Sequence, residues 1–301
     1  PVSGPRDAAC VFPCAGRWNR QRGDPMPGSF ATIAIAFELT LAAVGLVLLW
    51  RVVFSPAART QPRAAGLAAW DVSLPDFLTF LLLVMAGSFI AAAVAGLTGK
   101  ALALHGNAAA VLNGSAAQLG MLAGVLLHRR SVTAPPLAAE RSRRGVLASG
   151  VATFLVSIPL LLATAHTWEF LLKLAGLPAE RQDLIGMFAE VDSPVLLTIM
   201  ITLAVLIAPL TEELVFRAGV FRYLRTRIPR SLALLLPAVV FALLHVNWHT
   251  LQGLASVAPL VVLAVVFSLA YERTGRIETA IVAHACFNLN TLFIIFSGIT
   301  L

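Results

Sequence analysis

The sequence predicts an all-α, polytopic membrane protein of about eight transmembrane helices, and three observations carry that reading. Of its 301 residues, 58% are hydrophobic and only 12% are charged, about half the charged fraction of a soluble domain. The apolar residues fall into eight stretches, each near the ~20 residues that span hydrocarbon. Basic residues alternate between the connections of these stretches as cytoplasmic and outer loops do. The net charge of +7 comes almost wholly from arginine, since Lys100 and Lys173 are the only lysines. In such a chain a basic excess marks cytoplasmic loops, and no nucleic-acid partner is implied. Cys10, Cys14 and Cys286 supply no disulfide framework, and Cys286 lies in an apolar run where a small buried hydrophobe is the default.

Residues 1–25 lack both periodicity and the apolar core of a signal peptide. Translation is expected to start at Met26, with residues 1–25 a gene-model extension or a disordered basic tail. The spans are expected at about 30–50, 76–97, 108–128, 146–166, 194–216, 231–249, 255–271 and 277–298, the seventh being the shortest. Between the fourth and fifth, Thr167 to Asp192 reads as one or two short amphipathic helices on the membrane surface, shaping an entrance. Gly, Ala and Ser in the second to fourth spans allow close helix packing. Glu38, Asn113 and Gln118 read as inter-helix hydrogen bonders rather than catalysts. The connections after the first, third, fifth and seventh spans hold most of the arginines. The opposite side holds only Lys100, Lys173 and Arg181, apart from the four arginines within residues 1–25. Both termini are therefore expected outside, and the early arginines would lie on the wrong side, a second reason to expect a start at Met26. The division is a leader (1–25), N-terminal transmembrane helices (26–144) and a helical core (145–301), in an integral, multi-pass protein of the plasma (inner) membrane.

The chemistry concentrates in Ala208 to Tyr223, APLTEELVFRAGVFRY, where two carboxylates and an arginine follow an apolar run. Each ionised group costs about 2.5–3.5 kcal/mol at the centre of a membrane helix, so partners or a purpose are required. Glu213 and Arg217 stand four apart on one helical face and are expected to pair, while Glu212 points about 100° away and is left free for chemistry. The plainer alternative is that both glutamates mark a cytoplasmic helix end. Further along, Phe241 and His245 stand four apart in PAVVFALLHVNWH, and His284 and Asn288 four apart in IVAHACFNLN. Either histidine alone reads as well as a packing residue, and the Asn–His pair as inter-helical glue. Counted from the basic helix ends, Glu212 and His284 fall roughly 12–15 Å deep and His245 roughly 22 Å. A bend at Pro237 would bring His245 level with the others.

The pattern EExxxR, then FxxxH, then HxxxN, on three of the last four spans, resembles the CAAX prenyl protease and bacteriocin-processing family of intramembrane proteases. Here it is Glu212-Glu213-Leu-Val-Phe-Arg217, Phe241-Ala-Leu-Leu-His245 and His284-Ala-Cys-Phe-Asn288, and the likeness covers about residues 145–295. The resemblance implies an endopeptidase acting on a membrane-associated peptide or protein within the lipid bilayer, prenylated or leader-bearing. Glu212 would be the general base and His245 would help hold the water. His284 and Asn288 would stabilise the oxyanion, Glu213 and Arg217 would form the anchoring ion pair, and Phe241 would support them. His245, His284 and Glu212 could also form a three-ligand zinc site, as the family's usual metalloprotease classification implies. There is no HExxH, however, and the same residues work without metal. Two rivals remain: a catalytically silent member acting as an immunity or scaffold protein, and a transporter, for which no internal repeat is found.

Overall fold

The computed structural model describes residues 28–60, 67–131, 145–178, 188, 191, 193–251 and 253–297. The leader, Arg63, Arg141, Arg143, Arg144, Arg181 and most of the second half of Thr167 to Asp192 lie outside the described residues. The described chain is all-helical, with seven helices long and apolar enough to cross a membrane. The protein is an integral, multi-pass, all-α membrane protein.

Helix α1 (Gly28–Leu49) runs through a π-helical turn at Trp50–Phe54 into the short α2 (Pro56–Thr60). The next helix, α3 (Leu74–Ala101), starts where Ser73 accepts the Asp76 N–H, with Pro75 in the first turn, where no intrahelical donor is needed. It is followed by α4 (Gly106–Ser131) and α5 (Val146–Leu174). In α5 the residues from Thr167 to Leu174 continue the fourth span instead of forming a separate surface helix. No breaker interrupts them, Glu169 and Lys173 pair at 2.8 Å, and the chain turns only at Gly176, at φ 68°. A single rod, α6 (Pro194–Arg225), opens on a Ser193 cap with Pro194 behind it and contains two π-helical stretches, Leu203–Ile207 and Leu214–Phe221. They flank Ala208–Glu213, and such wide turns are frequent at functional sites.

The sixth expected span is α7 (Arg230–Leu243), only 14 residues, or about 21 Å against a hydrocarbon core of ~30 Å. It, and not the seventh, is the shortest. The expected helix over 231–249 stops early because Asn247 folds its side chain back onto the His249 N–H, and Leu251 and Gly253 take positive φ. After a 3₁₀ turn at Leu254–Ser256 come α8 (Val257–Thr274), closed by Gly275 at φ 67°, and α9 (Ile277–Ser297).

Between lipid-solvated helices the hydrophobic drive is small, so close contact must supply association. Helices α3 and α4 meet through glycine. A Cβ on Gly87 would lie 2.3 Å from the Gly120 carbonyl oxygen, one on Gly120 2.2 Å from that of Gly87, and one on Gly124 2.4 Å from that of Leu83. The expectation that small residues pack these spans is borne out.

At one end of the bundle, arginines tie the helix ends together. Arg225 and Arg230 both grip Glu272 at the end of α8, at 2.5 and 2.6 Å. Arg222 donates to the carbonyls of Ala68 and Ala69, and Arg227 to those of Trp70 and Val72, just before α3. At the opposite end the Trp168 indole, near the end of α5, donates to the Leu254 carbonyl before α8. Helices α6 and α8 therefore end, and α7 begins, at the same basic face.

Candidate active site

The π-rich rod α6 lies against α4, α7, α8 and α9, and all three motifs converge on it. Glu213 and Arg217 form the expected pair, Nη1 to Oε1 at 3.0 Å, and both side chains are sealed, at 0% and 1% exposure. The guanidinium lies over the rings of Phe241, 4.9 Å from its centroid, and Phe267, 5.7 Å. Such contacts give a desolvated cation partial compensation for lost water. Phe241 also packs on His245, with ring centroids 4.6 Å apart, and edge-on to His284 at 6.4 Å.

Glu213 has a second partner that the spacing did not reveal. Its Oε1 lies 2.9 Å from His284 Nδ1, so Nδ1 carries the proton and donates it to the carboxylate. The other ring nitrogen, Nε2, is thereby turned towards Glu212, whose Oε2 is 3.9 Å away. That separation is too long for a direct hydrogen bond. Glu212 is the more open carboxylate, its side chain 15% exposed against none for Glu213. Two adjacent glutamates thus have separate tasks: one holds an arginine and a histidine, and the other faces the space beside that histidine.

Gln118 reaches the same place from α4. Its Nε2 donates to Glu212 Oε1 at 3.2 Å, and its Oε1 accepts from the Thr211 hydroxyl. The reading of Gln118 as an inter-helix hydrogen bonder is borne out, and its partner is the central carboxylate. Glu38 likewise takes a bond from Asn290, 3.2 Å away on α9, whereas Asn113 is exposed.

Asn288 donates through Nδ2 to the Ala204 carbonyl at 2.7 Å. In the π-helical stretch, donors bond five residues back, as Ala208 N–H does to Leu203. The next donor in that register would be residue 209, which is proline and has no N–H. Asn288 supplies the bond that Pro209 withholds.

His245 lies two residues past the end of α7, half-buried, its Nδ1 2.7 Å from the Phe241 carbonyl oxygen. It belongs to the turn and not to a continuing span. Among the described residues no group of three His, Cys, Asp or Glu is close enough to hold a metal ion. The trio His245, His284 and Glu212 therefore does not fit zinc in this arrangement, and His284 Nδ1 is already committed to Glu213. Cys286 is half-buried with α5 and α8 side chains, as a small hydrophobe.

Comparison with curated proteins found no match, and neither did comparison with solved structures. Residues 194–290, from the start of α6 into α9, match the family model for Rce1-like, type II CAAX prenyl endopeptidases. That segment contains all three motifs and the Glu212, Glu213 and His284 cluster, so the part of the chain that carries the site is similar to the type II CAAX prenyl endopeptidases.

Proposed function

We propose that the protein is an intramembrane endopeptidase that hydrolyses a peptide bond of a membrane-associated substrate with a water activated by Glu212. The observation that carries this reading is the 3.9 Å gap between Glu212 Oε2 and His284 Nε2, fixed by the 2.9 Å bond from His284 to Glu213. A water held about 2.8 Å from each atom would subtend an angle of about 90°, within reach of both.

Glu212 takes a proton from that water as its oxygen bonds to the scissile carbonyl carbon, and the carbonyl π pair moves onto oxygen. Donors beside the developing oxyanion supply much of the catalysis in such reactions. His284 is one such donor, through an N–H at Nε2, the ring being aimed by its Nδ1 bond to Glu213. By the family resemblance, His245, in the turn after α7, helps to hold the water. The remaining amide hydrogen of Asn288 is a second donor, although its first holds α6 in shape. Collapse of the intermediate breaks the C–N bond, and the proton on Glu212 passes to the leaving amine. No step is assigned to a metal.

The test is cleavage in proteoliposomes of a panel of fluorogenic peptides, farnesylated with a CAAX ending or tethered by a plain lipid. The expected result is cleavage of at least one peptide, lost by about 10³-fold or more in Glu212→Gln and unchanged by a zinc chelator. Glu212→Gln protein that cleaves at the parental rate would end this assignment. Abolition by the chelator, restored by added zinc, would return the site to metal chemistry.

A further inference from the structure

We infer that Gln118, steadied by Thr211, is a positioning residue that fixes which oxygen of Glu212 faces the reaction. The inference rests on the reading of Glu212 as the base. Gln118 is on α4, outside the family match at 194–290, and is the described contact between that helix's side chains and the carboxylate.

A carboxylate on a flexible stem can turn either oxygen towards His284. Proton transfer needs one oxygen held within hydrogen-bond reach of the water, and a misplacement of about 1 Å is worth ~10²-fold in rate. Gln118 Nε2 occupies Oε1 at 3.2 Å and leaves Oε2 towards His284 Nε2. The amide has its own constraint. Turned over, Gln118 would set its carbonyl oxygen against the carboxylate, acceptor against acceptor. In the observed orientation that oxygen instead receives the Thr211 hydroxyl. Thr211 is fully buried on α6, and its single hydroxyl proton, given to Gln118, has the Ile207 and Ala208 carbonyls as competing acceptors within reach. The relay runs from the Thr211 hydroxyl, through Gln118, back to Glu212 on the next residue of the same helix.

The α3–α4 pair holds the other end of the relay. Gln118 is two residues from Gly120, whose contact with Gly87 sets the α3–α4 separation at backbone distance. Rigid support of this kind is what a catalytic oxygen requires.

The experiment uses the full chain in proteoliposomes and the peptide that the parent protein cleaves best in the panel above. Gln118→Leu preserves an apolar helix and leaves the Thr211 hydroxyl its Ile207 partner, so folding is expected to survive, checked by a monodisperse elution and melting temperature. It is expected to lower kcat about 10- to 100-fold, the scale of lost outer-shell support, with KM within about twofold. Thr211→Val, which removes only the hydroxyl, is expected to lower kcat by about tenfold, and Thr211→Ser to restore it. Combining Thr211→Val with Gln118→Leu is expected to add nothing, because both act through one relay. A structural role alone predicts none of this pattern. Full kcat in folded Gln118→Leu overturns the inference, as do additive losses in the double variant. Cleavage that survives Glu212→Gln removes the base itself, and the two failures are told apart by that control.

Discussion

Replacing Arg217 by methionine removes one half of an ion pair that is closed to water on all sides. In the parent, Arg217 and Glu213 are 1% and 0% exposed and 3.0 Å apart. Glu213 Oε2 and both Nη1 and Nη2 of Arg217 have no hydrogen-bond partner among the described residues. Desolvating two charges costs several kcal/mol each, and here few hydrogen bonds offset it, so the pair is weak evidence of stability. Breaking it is another matter. With Arg217 gone, Glu213 remains buried with only His284 beside it, next to the Glu212 carboxylate. An uncompensated buried charge of this kind is worth about 3–5 kcal/mol, to which the lost contacts over Phe241 and Phe267 add about 1 kcal/mol. Arg217→Met is therefore expected to lose about 4–6 kcal/mol. The double variant Arg217→Met, Glu213→Gln removes both charges and is expected to regain most of that loss while remaining inactive, since His284 loses its anionic partner. The assay is the detergent melting temperature, followed by size-exclusion chromatography, alongside peptide cleavage. A single variant as stable as the parent would refute the reasoning. So would a double variant no more stable than the single, because the loss would then not stem from an orphaned charge.

Two further outcomes follow from the packing. Asn288→Ala is expected to cost about 1–3 kcal/mol by orphaning the Ala204 carbonyl; in a Pro209→Ala background, where residue 209 regains an N–H, the same change should cost less than half as much. Equal costs in a double-mutant melting cycle would show that Asn288 does not substitute for the missing donor. Gly120→Leu drives a side chain into the Gly87 carbonyl 2.2 Å away and is expected to separate α3 from α4, abolishing monodisperse protein, whereas Gly114→Leu, with nothing within 4 Å, should be tolerated. Normal elution of Gly120→Leu would contradict the packing.

What the sequence made legible was whatever has a short period. Glu213 and Arg217 are paired because four residues make one helical turn, and that geometry survives even where α6 widens into π-helical turns. Hydropathy located the long helices well but could not see where a helix ends inside an apolar run. Residues 244–249, Leu-His-Val-Asn-Trp-His, were read as the end of the span, yet the helix stops at Leu243, and Asn247 and the positive φ of Leu251 and Gly253 turn the chain. The polar run His245, Asn247 and His249 was the readable sign. The reverse error, a separate amphipathic helix from Thr167, treated a change of composition as a break where no Gly or Pro intervenes before Gly176.

Contacts between distant segments were the least legible, and they are what convert the motifs into a site. Depth along each helix put Glu212 and His284 at similar levels, but nothing local says that Glu213 holds Nδ1 and thereby aims Nε2. Gln118 is harder still, because its two partners are more than ninety residues away and it sits in no motif. A lone glutamine on an Ala- and Gly-rich helix announces only that it needs a hydrogen bond. That need is nevertheless informative. In a membrane the partners of a buried polar side chain must be other protein groups, so each unexplained Gln, Asn or Glu in a span points to one. Here Gln118 finds Glu212 and Glu38 finds Asn290, and both bonds tie an early helix to the region that bears the motifs.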